Sequence, residues 1–231
     1  MIGIIGAMEC EIRGLVDIMS GVTCQKFASK SFYTGKIGST ECVVALSSEG
    51  KVNSAVCAQI MIDKYDPDFI INTGVAGGVG SGISIGDIVF AESVVQHDYD
   101  VSALGMEKGY VYGIDCIYGR TDEALTRELM EIAEGMSIGV HSGVVASGDQ
   151  FISSREKKDF IRSTFGAKAC EMEAAAIGHV CMLNGKPFAV IRAISDGSDD
   201  GAKVDFPVFA EAAAKTTIEI LVKFLKKREQ R

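Results

Sequence analysis

The chain has 231 residues, 47% of them apolar and 23% charged, with 23 Lys and Arg against 31 Asp and Glu. A formal net charge of −8 without a basic stripe excludes a nucleic-acid binder, because neutralising phosphates takes clustered cations. Three prolines, no tryptophan and no low-complexity tract exclude a disordered chain, and this length buries enough surface to fold without disulfides or metal.

Met1-Ile2-Gly3-Ile4-Ile5-Gly6 predicts a first strand over 2–6. Glu9 and Glu11 follow at once, so the cationic start and long apolar core of a signal peptide are not expected here. A helix near 9–20 comes next. Residues 31–38 alternate and predict an antiparallel neighbour for a strand over 41–46, turning at Gly38-Ser39. Val52, Val56 and Ile60 mark a helix over 52–64. A strand over 68–73 is expected to run into a glycine-rich turn. The uncharged stretch from Phe69 to Gly86 holds six glycines, which suits a strand and turn and not a membrane span.

Strands over 86–95 and 138–146 flank a helix over 121–135. Met172, Ala176, Val180 and Leu183 predict a helix over 172–184, followed by a strand over 187–194. Phe209, Ala213, Ile220 and Phe224 share one face of a last helix over 206–228. Strands alternating with amphipathic helices imply a single α/β domain over 1–231, a central mixed β-sheet flanked by helices. A soluble, cytoplasmic protein without a membrane segment is expected. In such sheets ligands bind beyond the carboxyl ends of the strands.

Several motifs fail on spacing. The glycines at 74–82 lack the G-x-G-x-x-G pattern, and Gly50-Lys51 lacks the first glycine and the Ser/Thr of a P-loop. The run at 196–201 imitates half an EF-hand, but its twelfth position is Pro207 where glutamate is required. His97, His141 and His179 have no zinc-like spacing, and the seven cysteines form no C-x-x-C pair. No metal and no cofactor is expected.

Carboxylates at strand ends remain: Glu11 after the first strand, Glu171 and Glu173 after a short strand-like run, and Asp196 after the run Val190–Ser195. Singly, each reads as a solvated acid or a helix cap. Together at one sheet edge they suit acid/base chemistry on a sugar.

The segments Gly3–Glu11, Ile71–Gly78, Ser147–Ile152, Glu171–Ala174 and Arg192–Asp196, in this order, resemble the 5′-methylthioadenosine/S-adenosylhomocysteine nucleosidases. The resemblance implies the nucleoside-phosphorylase fold, a homodimer, and hydrolysis of an N-glycosidic bond. It implies Glu11 as the base that activates water and Asp196 as the acid that protonates adenine N7. It makes Glu173 the group that holds the ribose hydroxyls. Phe151 and Ile152 fall in the adenine site, and Met172 lies along the ribose. Met8 and Phe206 fall among the substrate-binding positions. Arg192 and Ser195 support the carboxylates and the water, and Gly77 allows close approach to the ligand. A proton donor working near neutral pH calls for a buried Asp196.

Two departures from the family pattern stand out. Val75 replaces the usual Ser or Thr, so Ser195 or water is expected to orient Asp196 instead. Ser48-Glu49 replaces a glycine and an apolar residue, and position 49 borders the pocket for the 5′ tail. The resemblance places Val101, Leu104 and Met106 in the partner subunit's pocket, with Leu104 and Lys108 where aromatics are usual. Glu49 is expected to favour a tail carrying an amine over a plain methylthio group. Three alternatives remain: a purine nucleoside phosphorylase, a nucleosidase for a futalosine-type tail, and a binding protein with a degenerate site. A phosphorylase needs cations for phosphate, where this chain has Met8-Glu9-Cys10-Glu11.

Overall fold

The structure, a computed structural model, describes residues 1–197 and 202–228. The acidic run at 196–201 thus lies outside the described residues from position 198 onward. In chain order the elements are β1 (Ile2–Gly6), α1 (Glu9–Val16), β2 (Ser20–Phe27), β3 (Lys30–Ile37), β4 (Thr40–Leu46), α2 (Lys51–Tyr65), β5 (Phe69–Gly78), β6 (Ile88–Gln96) and a 3-10 turn at Ser102–Leu104. There follow β7 (Gly119–Arg120), α3 (Glu123–Glu134), β8 (Val140–Ser147), α4 (Arg155–Phe165), β9 (Ala167–Glu171), α5 (Ala174–Leu183), β10 (Phe188–Asp196) and α6 (Ala202–Arg228).

These strands join one mixed sheet, as expected. β1 lies parallel between β4 and β5, and β3 and β2 extend the β4 side antiparallel. Beyond β5 the sheet curls back on itself. β5 pairs with both β10 and β9, β10 pairs with β6, and β8 joins β6 to β9, closing a ring of five strands. The register sets Gly77 opposite both Asp196 and Cys170, and Ser147 opposite Glu171. Four strands therefore deliver their carboxyl ends to one place.

β1, β5 and β10 are buried along their whole length, as strands covered on both faces must be. Alternation sorts their side chains. Ile2 and Ile4 pack with Leu15, Leu129 and Phe224 under α1, α3 and α6. Ile5 packs on the opposite face with Cys57, Met61 and Ile177 under α2 and α5. Each such isoleucine contributes about 1.5–3 kcal/mol by leaving water.

Among the described residues, the clearest differences from the sequence expectation lie in α1, β2, α4 and β5. α1 stops at Val16, where Asp17 caps it, and the chain enters β2 at Ser20. β2 was not foreseen because it is an exposed edge strand without apolar alternation, held by its pairing with β3. α4 was not foreseen because charges fill its outer face. Its signals are the Ser154 cap, which accepts the Lys157 N–H, a left-handed Gly166 at the end, and Ile161 and Phe165 one turn apart on the buried face. β5 does not give way to a turn at 73 but continues through Gly74–Gly78, paired with Arg192–Asp196. The glycines there make room for two carboxylates.

Candidate active site

Glu11 stands on the first turn of α1, just past β1. Its carboxylate accepts three backbone N–H groups: Ala7 at 2.7 Å, Met8 at 2.9 Å and Val75 at 3.0 Å. Three donors, two just past β1 and one within β5, fix both oxygens. Burial pushes the Glu11 carboxyl above its usual range, and the Arg192 charge and the N–H donors oppose that shift. A Cβ on Gly74 would lie 2.5 Å from Glu11 Oε1, so only glycine leaves space for the acid.

Glu173 precedes α5 and accepts the Gly50 N–H at 2.8 Å. Burial first, then the neighbouring Glu171 charge, push its carboxyl up to about 8. Glu171 itself is spent on structure. It accepts the Arg192 guanidinium and the Ser147 hydroxyl, and the N–H groups of Glu173 at 3.1 Å and Ala174 at 2.9 Å. Arg192 also donates to the Asn72 side chain and carbonyl. It is 1% exposed, sits behind the site and does not form its wall. It neutralises Glu171, which holds the turn carrying Glu173.

Asp196 ends β10 and is 2% exposed, buried as expected. Ser195 Oγ donates to its Oδ1 at 3.1 Å, which supplies the partner that Val75 cannot. Lys158 Nζ, reaching over from α4, lies 3.3 Å from Oδ2 and also bonds the Gly197 carbonyl. A Cβ on Gly77 would stand 2.8 Å from Asp196 Oδ2, so this glycine first makes room for the acid.

Glu11, Glu173 and Asp196 open on one cavity of about 230 Å³. Its wall also carries Met8, Gly77, Phe151, Ile152, Met172, Ser195, Phe206 and Glu49, so every expected site residue except Arg192 is brought together. Phe151 and Phe206 meet edge to face on this wall, their ring centroids 5.4 Å apart. Glu49 is exposed at the Gly50 end, next to Glu173. Lys51 points elsewhere: its Nζ pairs with Asp98 at 2.6 Å and its N–H bonds Asp149. Burial pushes the Cys170 thiol at the cavity wall up to about 12, so it stays protonated and inert. Val101, Leu104 and Met106 do not line this cavity, and Leu104 is 73% exposed. Lys108 lies over the Phe160 ring and 3.6 Å from Asp100, engaged within its own chain.

Lys158 and Asn72 were not foreseen. Lys158 shares a helical face with Ile161 and Phe165, and a lysine on an apolar stripe is the signal that could have found it.

Carboxylates gathered at the ends of a curled α/β sheet define a class, and the family comparison agrees with it. The chain belongs to the phosphorylase superfamily, whose family model matches residues 1–226. Its relatives include a 5′-methylthioadenosine/S-adenosylhomocysteine nucleosidase of an Exiguobacterium species, 38% identical over 231 residues and 99% of each chain. They also include the aminodeoxyfutalosine nucleosidase of Campylobacter jejuni, 37% identical over 98% of each chain. The crystal structure of the Neisseria meningitidis 5′-methylthioadenosine/S-adenosylhomocysteine nucleosidase with methylthio-immucillin-A is similar at a TM-score of 0.94, with 37% identity over 98% of each chain.

Proposed function

We propose that this chain hydrolyses the N-glycosidic bond of 5′-methylthioadenosine and S-adenosylhomocysteine, releasing adenine. The observation that carries the proposal is the placement of Glu11, Glu173 and Asp196 around one cavity. Bond breaking builds positive charge on the ribose and negative charge on the purine. Glu11, pinned by three N–H groups, takes the proton of the attacking water. Glu173 accepts the ribose hydroxyls. Asp196 gives a proton to adenine N7 at the other end, where Phe151, Phe206 and Ile152 flank the purine. Met8 and Met172 line the ribose. Carboxylates beneath the sugar stabilise its oxocarbenium character.

Among the described residues the cavity wall holds carboxylates and no Lys or Arg, which disfavours phosphate as the attacking group. Adenine release in phosphate-free buffer tests the proposal. Cleavage that requires phosphate would make the chain a phosphorylase. Glu11→Gln is expected to lower kcat by about 10²–10⁴-fold, and an unchanged rate would revive a binding protein.

The working unit is a homodimer in the cytoplasm. Val52, Val56 and Leu183 leave apolar surface exposed along α2 and α5, and a second copy of this chain covers it. The exposed Leu104, with Val101 and Met106, reaches the partner's cavity. Light scattering on Val52→Glu tests this, with a shift from dimer to monomer expected.

A further inference from the structure

Lys158 is 1% exposed, and a lysine so deeply buried needs a compensating partner. It finds two at the end of β10: Asp196 Oδ2 at 3.3 Å and the Gly197 carbonyl. Its helix carries Ile161 and Phe165 into the core beside it, so the ammonium is held from behind and cannot swing away to solvent. Of the two Asp196 oxygens, one bonds Ser195 and the other faces this cation.

Building on the nucleosidase activity proposed above, we infer that Lys158 is the positioning residue of the general acid. It fixes the Asp196 carboxyl on the cavity wall and compensates the charge left there by proton transfer. The C1′–N9 bond breaks and its electron pair passes to the purine. Asp196 gives its proton to N7 and becomes a carboxylate. Water adds its oxygen to C1′ and its proton to Glu11. The negative charge that appears on Asp196 does so next to a fixed ammonium in a water-poor site, where it is worth more than in bulk water. Lys158 thereby strengthens the acid without touching the substrate.

The test compares two leaving groups. Methylthioadenosine needs a proton on its departing base, whereas the 4-nitrophenyl glycoside of 5-methylthioribose leaves as a stable anion. With Lys158→Met, kcat on methylthioadenosine is expected to fall about 10- to 100-fold, a part of the usual general-acid contribution, with KM little changed. The nitrophenyl substrate is expected to lose less than about threefold. Lys158→Arg, which keeps the charge, should recover part of the loss, and Lys158→Met should add nothing to Asp196→Asn. Equal losses on both substrates would overturn the proposal and leave Lys158 a packing residue. Full activity of Lys158→Met on methylthioadenosine would overturn it as well. If Lys158→Met does not fold, Lys158→Gln carries the same comparison. Wild-type protein that cleaves neither substrate would instead refute the nucleosidase function on which the role depends.

Discussion

Gly74 and Glu11 occupy mutually exclusive space: a Cβ on the glycine would lie 2.5 Å from Oε1 of the acid. The next residue of the strand gives Glu11 its third N–H donor, Val75 at 3.0 Å. Gly74→Ala must therefore push the carboxylate off its donors. A displacement of about 1 Å at a catalytic group costs about 100-fold in rate, and overpacking a tight site costs about 1–3 kcal/mol of stability. Steady-state kcat and a thermal melt of the variant measure both. An alanine variant with wild-type kcat would show that Glu11 does not need this seat.

Glu173 gives a pH signature. Its carboxyl sits at about 8 in the folded chain because burial and Glu171 disfavour its charge, against about 4.3 when unfolded. Between those values the native state keeps a proton that the unfolded chain releases. The stability tied to this group is thus complete below about 4.3 and is lost as pH rises through 8. Glu173→Gln cannot ionise and still offers an oxygen to the Gly50 N–H. Its melting temperature relative to wild type is expected to climb from pH 5 to pH 9, by a few degrees, since about 1 kcal/mol moves a chain of this size by about 2–4 °C. A difference that stays flat with pH would place the titration elsewhere.

What the sequence shows of the fold and of the candidate site follows from where the information lies. Glu11, Glu173 and Asp196 each follow a buried strand, and apolar runs such as Ile2–Gly6 and Phe188–Asp196 announce themselves by composition. The strand ends then point to the acids. β2 carries no such mark, because an exposed edge strand needs hydrogen bonds and not apolar alternation. α4 hides behind Arg155, Glu156, Lys157 and Asp159 on its outer face. With α4 unread, Lys158 had no face to belong to. The stretch Gly74–Gly78 reads as a turn because the reason for glycine at 74 and 77 lies in side chains far along the chain, Glu11 and Asp196.

Ser48 carries a backbone cost. Its φ of 64° is left-handed, where the nucleosidases it resembles usually have glycine. A side chain there costs about 1–2 kcal/mol, and replacing it by glycine gives back about 0.4–1 kcal/mol through the freer unfolded chain. Ser48→Gly is therefore expected to stabilise by about 0.5–1 kcal/mol, read as a melting temperature about 2 °C higher. A lower melting temperature would mean that the serine side chain makes a contact worth more than its strain.

Glu49 bears on which 5′ tail is preferred. It lies on the cavity wall next to the Gly50 N–H that holds Glu173, and it is exposed. Among the described residues no cation pairs with it, since Lys51 is taken by Asp98. An exposed carboxylate escapes the desolvation cost that burial would bring, and it leaves a negative potential where the tail emerges. S-adenosylhomocysteine carries an ammonium there, and methylthioadenosine carries only a methyl group. Exposed charge pairs are worth about 0.2–1 kcal/mol, so Glu49→Ile is expected to shift the ratio of kcat/KM values about two- to fivefold toward methylthioadenosine. Glu49→Gln should give the electrostatic part of that shift alone, and it should fade in wild type as salt is raised. A ratio that stays the same in both variants would mean that the tail leaves the cavity by another side.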